Sequence, residues 1–185
     1  RASSSPRGLI ARLQKKSGER DAVVQSAVLA LGLVGTNDAG NALDVRIREA
    51  LIDVQDEIAD QQSRHFALIA LAKLAGTTAV DAQDAEGGID AVSKALLAQL
   101  GDGHNTVKPW AGLACGVMVH GLVADAVHSA RIPVLQQAVR EAFDAERDPS
   151  RLAAFAVSSG IMGDVEARAG LLKRLLAEKG DDSRG

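Results

Sequence analysis

The sequence predicts an all-α fold, a right-handed α-solenoid in which helical pairs stack on one another. An apolar stretch that ends in glycine occurs four times, and its final residues, here called the closing glycines, are Gly35, Gly76, Gly121 and Gly163. These glycines are 41, 45 and 42 residues apart. Repeats of about 40–47 residues that contain two helical segments each are typical of α-solenoids.

The amino-acid composition favours the same fold. Of the 185 residues, 46% are hydrophobic but only 2% are aromatic, with one Trp, three Phe and no Tyr. A core of Ala, Leu, Val and Ile suits closely packed helices better than a β-sandwich, in which aromatic and β-branched side chains dominate. The length accommodates about four helical pairs.

The first helix of each pair is predicted to be buried on several sides, because it is apolar around most of its circumference. Small residues recur in it at matching places. Four of them lie nine positions before a closing glycine: Ser26, Ala67, Gly112 and Ala154. Gly32 and Gly160 lie three positions before one. We expect these residues at close helix contacts, and we expect each closing glycine to end its helix in a left-handed conformation.

The chain divides into a short N-terminal part and a repeat region. Residues 1–8 are Ser-rich and predict a linker, whereas residues 9–16 predict an amphipathic helix that buries Leu9, Ile10 and Leu13. We interpret this helix as the remnant of a preceding repeat's second helix. The solenoid is predicted over 20–180, with a polar tail at 180–185. Its four repeats span 20–60, 62–100, 105–147 and 148–179.

Capping residues mark where several helices begin. Asp21 and Thr106 are predicted N-caps, and Asp148 is followed by Pro149, a cap with proline in the first turn. The second helices carry apolar residues at helical spacing. In the first of them a further line, Val45, Ile52 and Ala59, lies almost opposite the main apolar face. Burial against the next repeat is the favoured explanation of that line, and an exposed groove contact is the alternative.

One segment carries a family resemblance. DPSRLAAFAVSSGIMGD (148–164) resembles the HEAT-like repeat of the phycobilisome-lyase type, in which Asp-Pro and an arginine precede an Ala-rich helix closed by Gly-Asp. Arg64 matches that arginine in the second repeat, whereas the first repeat has Val23 and the third has Lys108. The resemblance covers about 20–180. It implies a HEAT-like architecture, whose members act mostly as protein-binding scaffolds and in a minority as lyases or other enzymes.

Charge and composition argue against several classes of protein. The net charge of −3 is unlike the basic stripe of a nucleic-acid binder, and HEAT-like DNA glycosylases line their groove with basic and aromatic residues that are scarce here. No apolar run approaches the roughly 18 residues that cross a bilayer, so we expect no membrane insertion. Cys115 is the single cysteine, which excludes an internal disulfide framework and leaves the cellular compartment open.

The residues with potential chemistry do not form a recognisable motif. The histidines are His65, His104, His120 and His128, and their spacing does not suit a metal site. Cys115 lies within an apolar helix and is expected to act as a small hydrophobe. Trp110 is expected to cap the core between repeats, with an exposed binding aromatic as the alternative. We therefore predict no catalytic residue, no metal and no cofactor.

The sequence thus predicts a non-enzymatic scaffold that binds a protein partner, as a segment of a larger protein. The alternative is a lyase-like or other ligand-handling enzyme, which would need polar, ionisable side chains converging in one concave pocket. In solenoids of this type the second helices line the concave face. Helical-wheel counting places seven residues there: Glu49, Asp56, Lys94, Gln137, Arg140, Glu141 and Lys173. Their charge runs from acidic through mixed to basic along the stack.

Reversing Glu49 and Asp56 together to lysine should slow the capture of a partner and leave the melting temperature nearly unchanged. Exposed charges act mainly on association rate and orientation. Binding kinetics against the partner check this expectation. Normal binding by this variant, together with loss of binding when charges on the first helices are reversed, would place the binding surface on the first helices instead.

Overall fold

The all-α prediction is confirmed. The computed structural model describes residues 5–14, 18–77 and 81–182, and within these ranges no strand occurs. The helices are α1 (Pro6–Leu13), α2 (Asp21–Val34), α3 (Ala42–Glu57), α4 (Gln61–Ala75), α5 (Ala85–Gly101), α6 (Lys108–Ala124), α7 (Arg131–Ala145), α8 (Pro149–Ile161) and α9 (Arg168–Asp182). A short 3-10 helix, Val165–Ala167, precedes α9.

The helices pack as two rows. Helices α2, α4, α6 and α8 lie side by side in that order and form the first row. Helices α3, α5 and α7 form the second row, and each of them packs against the first-row helix that follows it in the chain. Helix α1 contacts α2 and α3 in the same way as α3 contacts α4 and α5. Each pair of helices is therefore placed mainly by its immediate neighbours.

The core runs through the middle of the first row. Leu68, Leu71 and Leu74 of α4 are fully buried, as are Met118 and Leu122 of α6. These two helices have a first-row neighbour on each side and second-row helices behind them. Burial on several sides explains why their sequences are apolar around most of the helix.

Small residues set the spacing of the first row. A Cβ atom added to Gly32 of α2 would lie 2.7 Å from the Cα and Cβ atoms of Ala70 in α4. A Cβ atom on Gly112 of α6 would lie 2.7 Å from the ring of Phe155 in α8. Gly121 meets the backbone of Gly76 in the same way. At these contacts a methyl group would push the helices apart, since protein cores have almost no free volume.

The closing glycines correct one prediction. Only Gly163 adopts the left-handed conformation, with φ of 64°. Gly35 has φ of −85° and Gly76 has φ of −78°, which any residue can adopt. Helix α6 continues past Gly121 to Ala124. Gly35 lies against Leu74, and Gly76 lies against Gly121. Gly35 and Gly76 therefore end α2 and α4 as expected but without a left-handed conformation. All three glycines also permit close packing.

One prediction on a small residue and two on the ends of the repeat region also differ from the structure. Ala67 and Gly112 are buried as expected and Ala154 is half-buried, but Ser26 is exposed. Helix α1 begins at Pro6 with Ser5 as its cap, inside the stretch predicted as a linker. Helix α9 extends to Asp182, into the stretch predicted as a polar tail.

One of the three predicted N-caps is confirmed. In the other two helices the N-cap lies one residue away from the predicted position. The Asp148 carboxylate accepts hydrogen bonds from the backbone N–H groups of Ser150 and Arg151, which confirms this cap. Asp21 is the first residue of α2 and not its cap, and α6 is preceded by Val107 instead of Thr106. Of the helices described, none combines the length and the apolar character needed to cross a bilayer.

Gly32→Ala should destabilise the protein by about 1–3 kcal/mol, because its new methyl group meets the α4 backbone and the two helices must separate. Gly160→Ala is the matched control, three residues before a closing glycine like Gly32 but with no atom within 4 Å of the added Cβ. It should stabilise the helix by about 0.5–1 kcal/mol. Urea unfolding at low protein concentration measures both. Equal changes in the free energy of unfolding for the two variants would show that α2 and α4 can separate without loss of stability.

Candidate functional site

A cavity of about 480 Å³ opens between the second-row helices α5 and α7. Its apolar wall includes Leu97 and Leu100 of α5, Ala138 and Ala142 of α7, and Phe155 of α8. Small-molecule and side-chain pockets in proteins have volumes of about 300–1,000 Å³ and are mostly apolar with a few polar groups. The cavity can therefore hold one or two apolar side chains, or a small ligand.

An ion pair forms the polar wall of this cavity. The Arg151 guanidinium donates from Nε to Glu146 Oε2 at 2.7 Å and from Nη2 to Oε1 at 3.0 Å. The Glu146 carboxylate also accepts from the backbone N–H groups of Arg147 and Asp148. These bonds, that from Arg151 first, lower the pKa of Glu146 to about 2. The pair is thus internally neutralised, and it holds the α7–α8 connection in place.

Lys108 is the cation of the cavity that remains available. It lies at the first turn of α6, is half-buried, and makes no ion pair with any part of the chain that the structure describes. Arg64 and Arg151 each lie twelve positions before a closing glycine, where the third repeat has Pro109, and Lys108 lies thirteen positions before one. Arg64 donates to the carbonyl of Ile58 at 2.6 Å, and Arg151 is bound to Glu146. Lys108 and Glu141 therefore each bring to the cavity lining a charge that no ion pair among the described residues neutralises.

Three of the seven predicted binding residues form one network on α7. Gln137 donates from its Nε2 to Glu141 Oε1 at 2.7 Å and accepts from Arg140 Nη2 at 2.8 Å. Arg140 in turn pairs with Asp164 at 2.6 Å and with Glu166 at 3.0 Å. Glu141 lines the cavity, whereas the charge of Arg140 is neutralised by the segment before α9. Arg140 thus holds two elements together, a tertiary role that the helical wheel did not predict.

The other predicted residues lie apart from this cavity. Lys94 of α5 is exposed and pairs with Asp90 at 2.7 Å. That carboxylate is shared with Arg131 of α7, and its hydrogen bonds, that from Lys94 first, lower its pKa. Asp56 is exposed on α3.

The two ends of the second-row side carry opposite charges. Glu49 lines a small groove of about 150 Å³ between α1 and α3, together with Asp53 and Glu57. Lys173 lies at the other end, beside Arg147 and Arg174. The net charge of these linings therefore changes from negative at α3, where Arg46 also lines the groove, to positive at α9, where Asp144 also takes part.

The residues considered for chemistry are accounted for by packing. Cys115 is fully buried, and burial raises the pKa of its thiol to about 12, so it is not poised as a nucleophile. The His65 ring stacks on Trp110 with centroids 4.7 Å apart, and burial lowers the pKa of His65. Over residues 5–14, 18–77 and 81–182, no three His, Cys, Asp or Glu side chains are grouped to hold a metal ion.

A buried polar turn was not anticipated from the sequence. The Asp38 carboxylate accepts from the backbone N–H groups of Gln83 and Asp84, at 2.9 and 2.8 Å, and its pKa is lowered by these bonds. Arg48 donates to Asn37 at 3.0 Å beside it. The turn between α2 and α3 is thereby tied to the segment before α5. Asp38 lies in the stretch TNDAGN, whose composition predicts a turn but not its partner.

Comparisons with protein-family models, curated proteins and solved structures gave no match for this chain.

Glu146→Gln should lower the free energy of unfolding at pH 7, because it weakens the bonds to Arg151. Glu146 titrates near 4.5 in the unfolded chain and about 2 in the folded one. Its contribution is therefore complete above about pH 4.5 and disappears as the pH falls through about 2. Urea unfolding between pH 7 and pH 2 measures the difference between variant and parent, which should shrink as the pH falls. Glu141→Gln, at an exposed position on α7, is the control. A pH-independent difference for Glu146→Gln would contradict the assignment.

Proposed function

We propose that this chain is a HEAT-like α-solenoid that acts as a non-enzymatic scaffold and binds a protein segment along its second-row helices. The order of helix contacts supports the solenoid, since α2, α4, α6 and α8 each pack on the next while the intervening helices form a parallel row. The motif arginines support the family, because Arg64 and Arg151 both fasten the start of a first-row helix to the connection before it.

The single observation that carries the binding function is the cavity between α5 and α7. Its leucine, alanine and phenylalanine wall can receive an apolar side chain, and burial of one such side chain contributes about 1.5–3 kcal/mol. Lys108 belongs to that lining and makes no ion pair within the described residues. A partner that places a carboxylate beside its apolar side chain would meet both features. The proposed ligand is therefore a peptide segment with a Leu, Ile, Met or Phe next to Asp or Glu.

Charge along the second-row side would orient that segment. Glu49, Asp53 and Glu57 lie toward α1, whereas Arg147, Lys173 and Arg174 lie toward α9. A segment with basic residues at one end and acidic residues at the other would be favoured in one direction and opposed in the other. Such complementarity contributes mainly to association rate and orientation, while the buried side chain contributes most of the affinity.

Selection from a phage-displayed random-peptide library tests this proposal. The 185-residue chain should enrich peptides that pair an apolar residue with an adjacent acidic one. Titration calorimetry with one selected peptide then compares the parent with Ala138→Glu, which fills the cavity and adds a negative charge, and with Lys108→Glu. Each substitution should raise the dissociation constant about tenfold or more, and tenfold corresponds to about 1.4 kcal/mol of binding free energy.

Lys73→Glu is the matched control, because it makes the same charge change at an exposed lysine of α4 outside the cavity. It should leave peptide affinity unchanged. If the selected peptides bind all three variants as they bind the parent, the cavity is not the binding site. If no peptide is enriched by the folded chain, the scaffold proposal itself fails.

A further inference from the structure

The first row has an exposed face at its α8 end. Gly160 is exposed on the side of α8 that faces away from α6, and a Cβ atom added there would have no neighbour within 4 Å. An open groove of about 420 Å³ lies beside it, lined by Val165 of the 3-10 helix and Leu172 of α9. Val165 is 83% exposed and Leu172 is 50% exposed. A glycine within a helix costs stability relative to alanine, and no contact among the described residues accounts for Gly160.

The opposite end of the first row exposes a stripe on α2. Four residues at helical spacing form it, here called the α2 stripe: Ala22, Ser26, Leu29 and Leu33. Leu29 is 40% exposed and Leu33 is 72% exposed. Two exposed leucines one turn apart form an apolar ridge, which is the shape that packs into a groove on a second helix.

Repeat register relates this stripe to an interface within the chain. The positions in α4 that correspond to the α2 stripe, counted back from the closing glycine, are Ser63, Ala67, Ala70 and Leu74. All four are buried. Ala70 lies on Gly32 of α2, and the Leu74 side chain lies against Gly35. The α2 stripe thus corresponds to the face of α4 that packs on α2. The α2 stripe itself is exposed.

The same register relates the α8 end to the receiving side of that interface. Gly32 and Gly35 of α2 receive α4, and the corresponding residues of α8 are Gly160 and Gly163. Neither Gly160 nor Gly163 has an atom within 4 Å of an added Cβ. The chain therefore carries both halves of one packing arrangement, and both are uncovered.

We propose that two copies of this chain associate end to end, with the α2 stripe of one copy docked on the Gly160 face of the other. The contact continues the packing of α2 on α4: Leu29 would lie on Gly160 as Ala70 lies on Gly32. Leucine is larger than alanine, and the groove beside Val165 and Leu172 supplies the additional room. This inference rests on repeat register and exposure, and it does not depend on what the second-row helices bind.

The proposed contact is heterologous, because it joins two different surfaces. Each dimer would retain one free α2 stripe and one free Gly160 face, so that further copies can add. Single substitutions that block one surface should therefore stop growth in a predictable way. Gly160→Glu blocks the receiving face without a clash inside the chain, and Leu33→Glu blocks the stripe at an exposed position.

Analytical ultracentrifugation of the 185-residue chain tests the proposal. The parent should show a mass that rises with concentration. Leu33→Glu alone and Gly160→Glu alone should remain monomers. An equimolar mixture of the two should form a dimer and nothing larger, because each variant retains the surface that the other lacks.

Val123→Glu is the control, since Val123 is also an exposed apolar residue, 57% exposed, but lies outside both surfaces. It should associate like the parent, and circular dichroism should show all three variants to be folded. A parent that stays monomeric at every concentration would overturn the proposal. So would a Gly160→Glu variant that still associates by itself, or a mixture of the two blocked variants that stays monomeric.

Discussion

The structure depends on how closely the first-row helices approach one another. Where α2 meets α4 and where α6 meets α8, the contact is made by Gly32 and by Gly112, and neighbouring side chains lie directly on the backbone. Close approach brings many atoms into dispersion contact, which compensates for the flexibility that glycine adds to the unfolded chain. It also explains a core with few aromatic residues, since a narrow space between helices is filled by alanine and leucine.

Polar contacts fix several of the connections between helices. Asp60 accepts from Gln25 and Ser63, Arg64 binds the Ile58 carbonyl, and Arg151 binds Glu146. Each contact holds the beginning of a first-row helix. At the third repeat Lys108 makes no such contact to the described chain.

The sequence predicts the all-α class well because helical periodicity is a local property of the chain. It fails where a residue has more than one possible use. Gly121 is expected to end a helix, but α6 continues past it, and its close contact with Gly76 lets two helices touch. Nothing nearby in sequence distinguishes this role from that of Gly76, which does end α4. Lys108 stands out in the sequence as a departure from the repeat pattern. The cavity it lines could not be predicted, because four helices far apart in the chain form it. Arg140 likewise finds its partners only in the folded protein.

The loose attachment of α9 has a consequence for the order in which the protein opens. Helix α4 contacts a neighbour on every flank, whereas α9 packs chiefly against the short 3-10 helix before it and leaves Leu175 and Leu176 exposed. In a row of units that contact only their neighbours, local unfolding begins at the ends and proceeds inward. Amide hydrogens of α9 will therefore exchange with solvent first and those of α4 and α6 last, which gives the molecule a graded rigidity along its length.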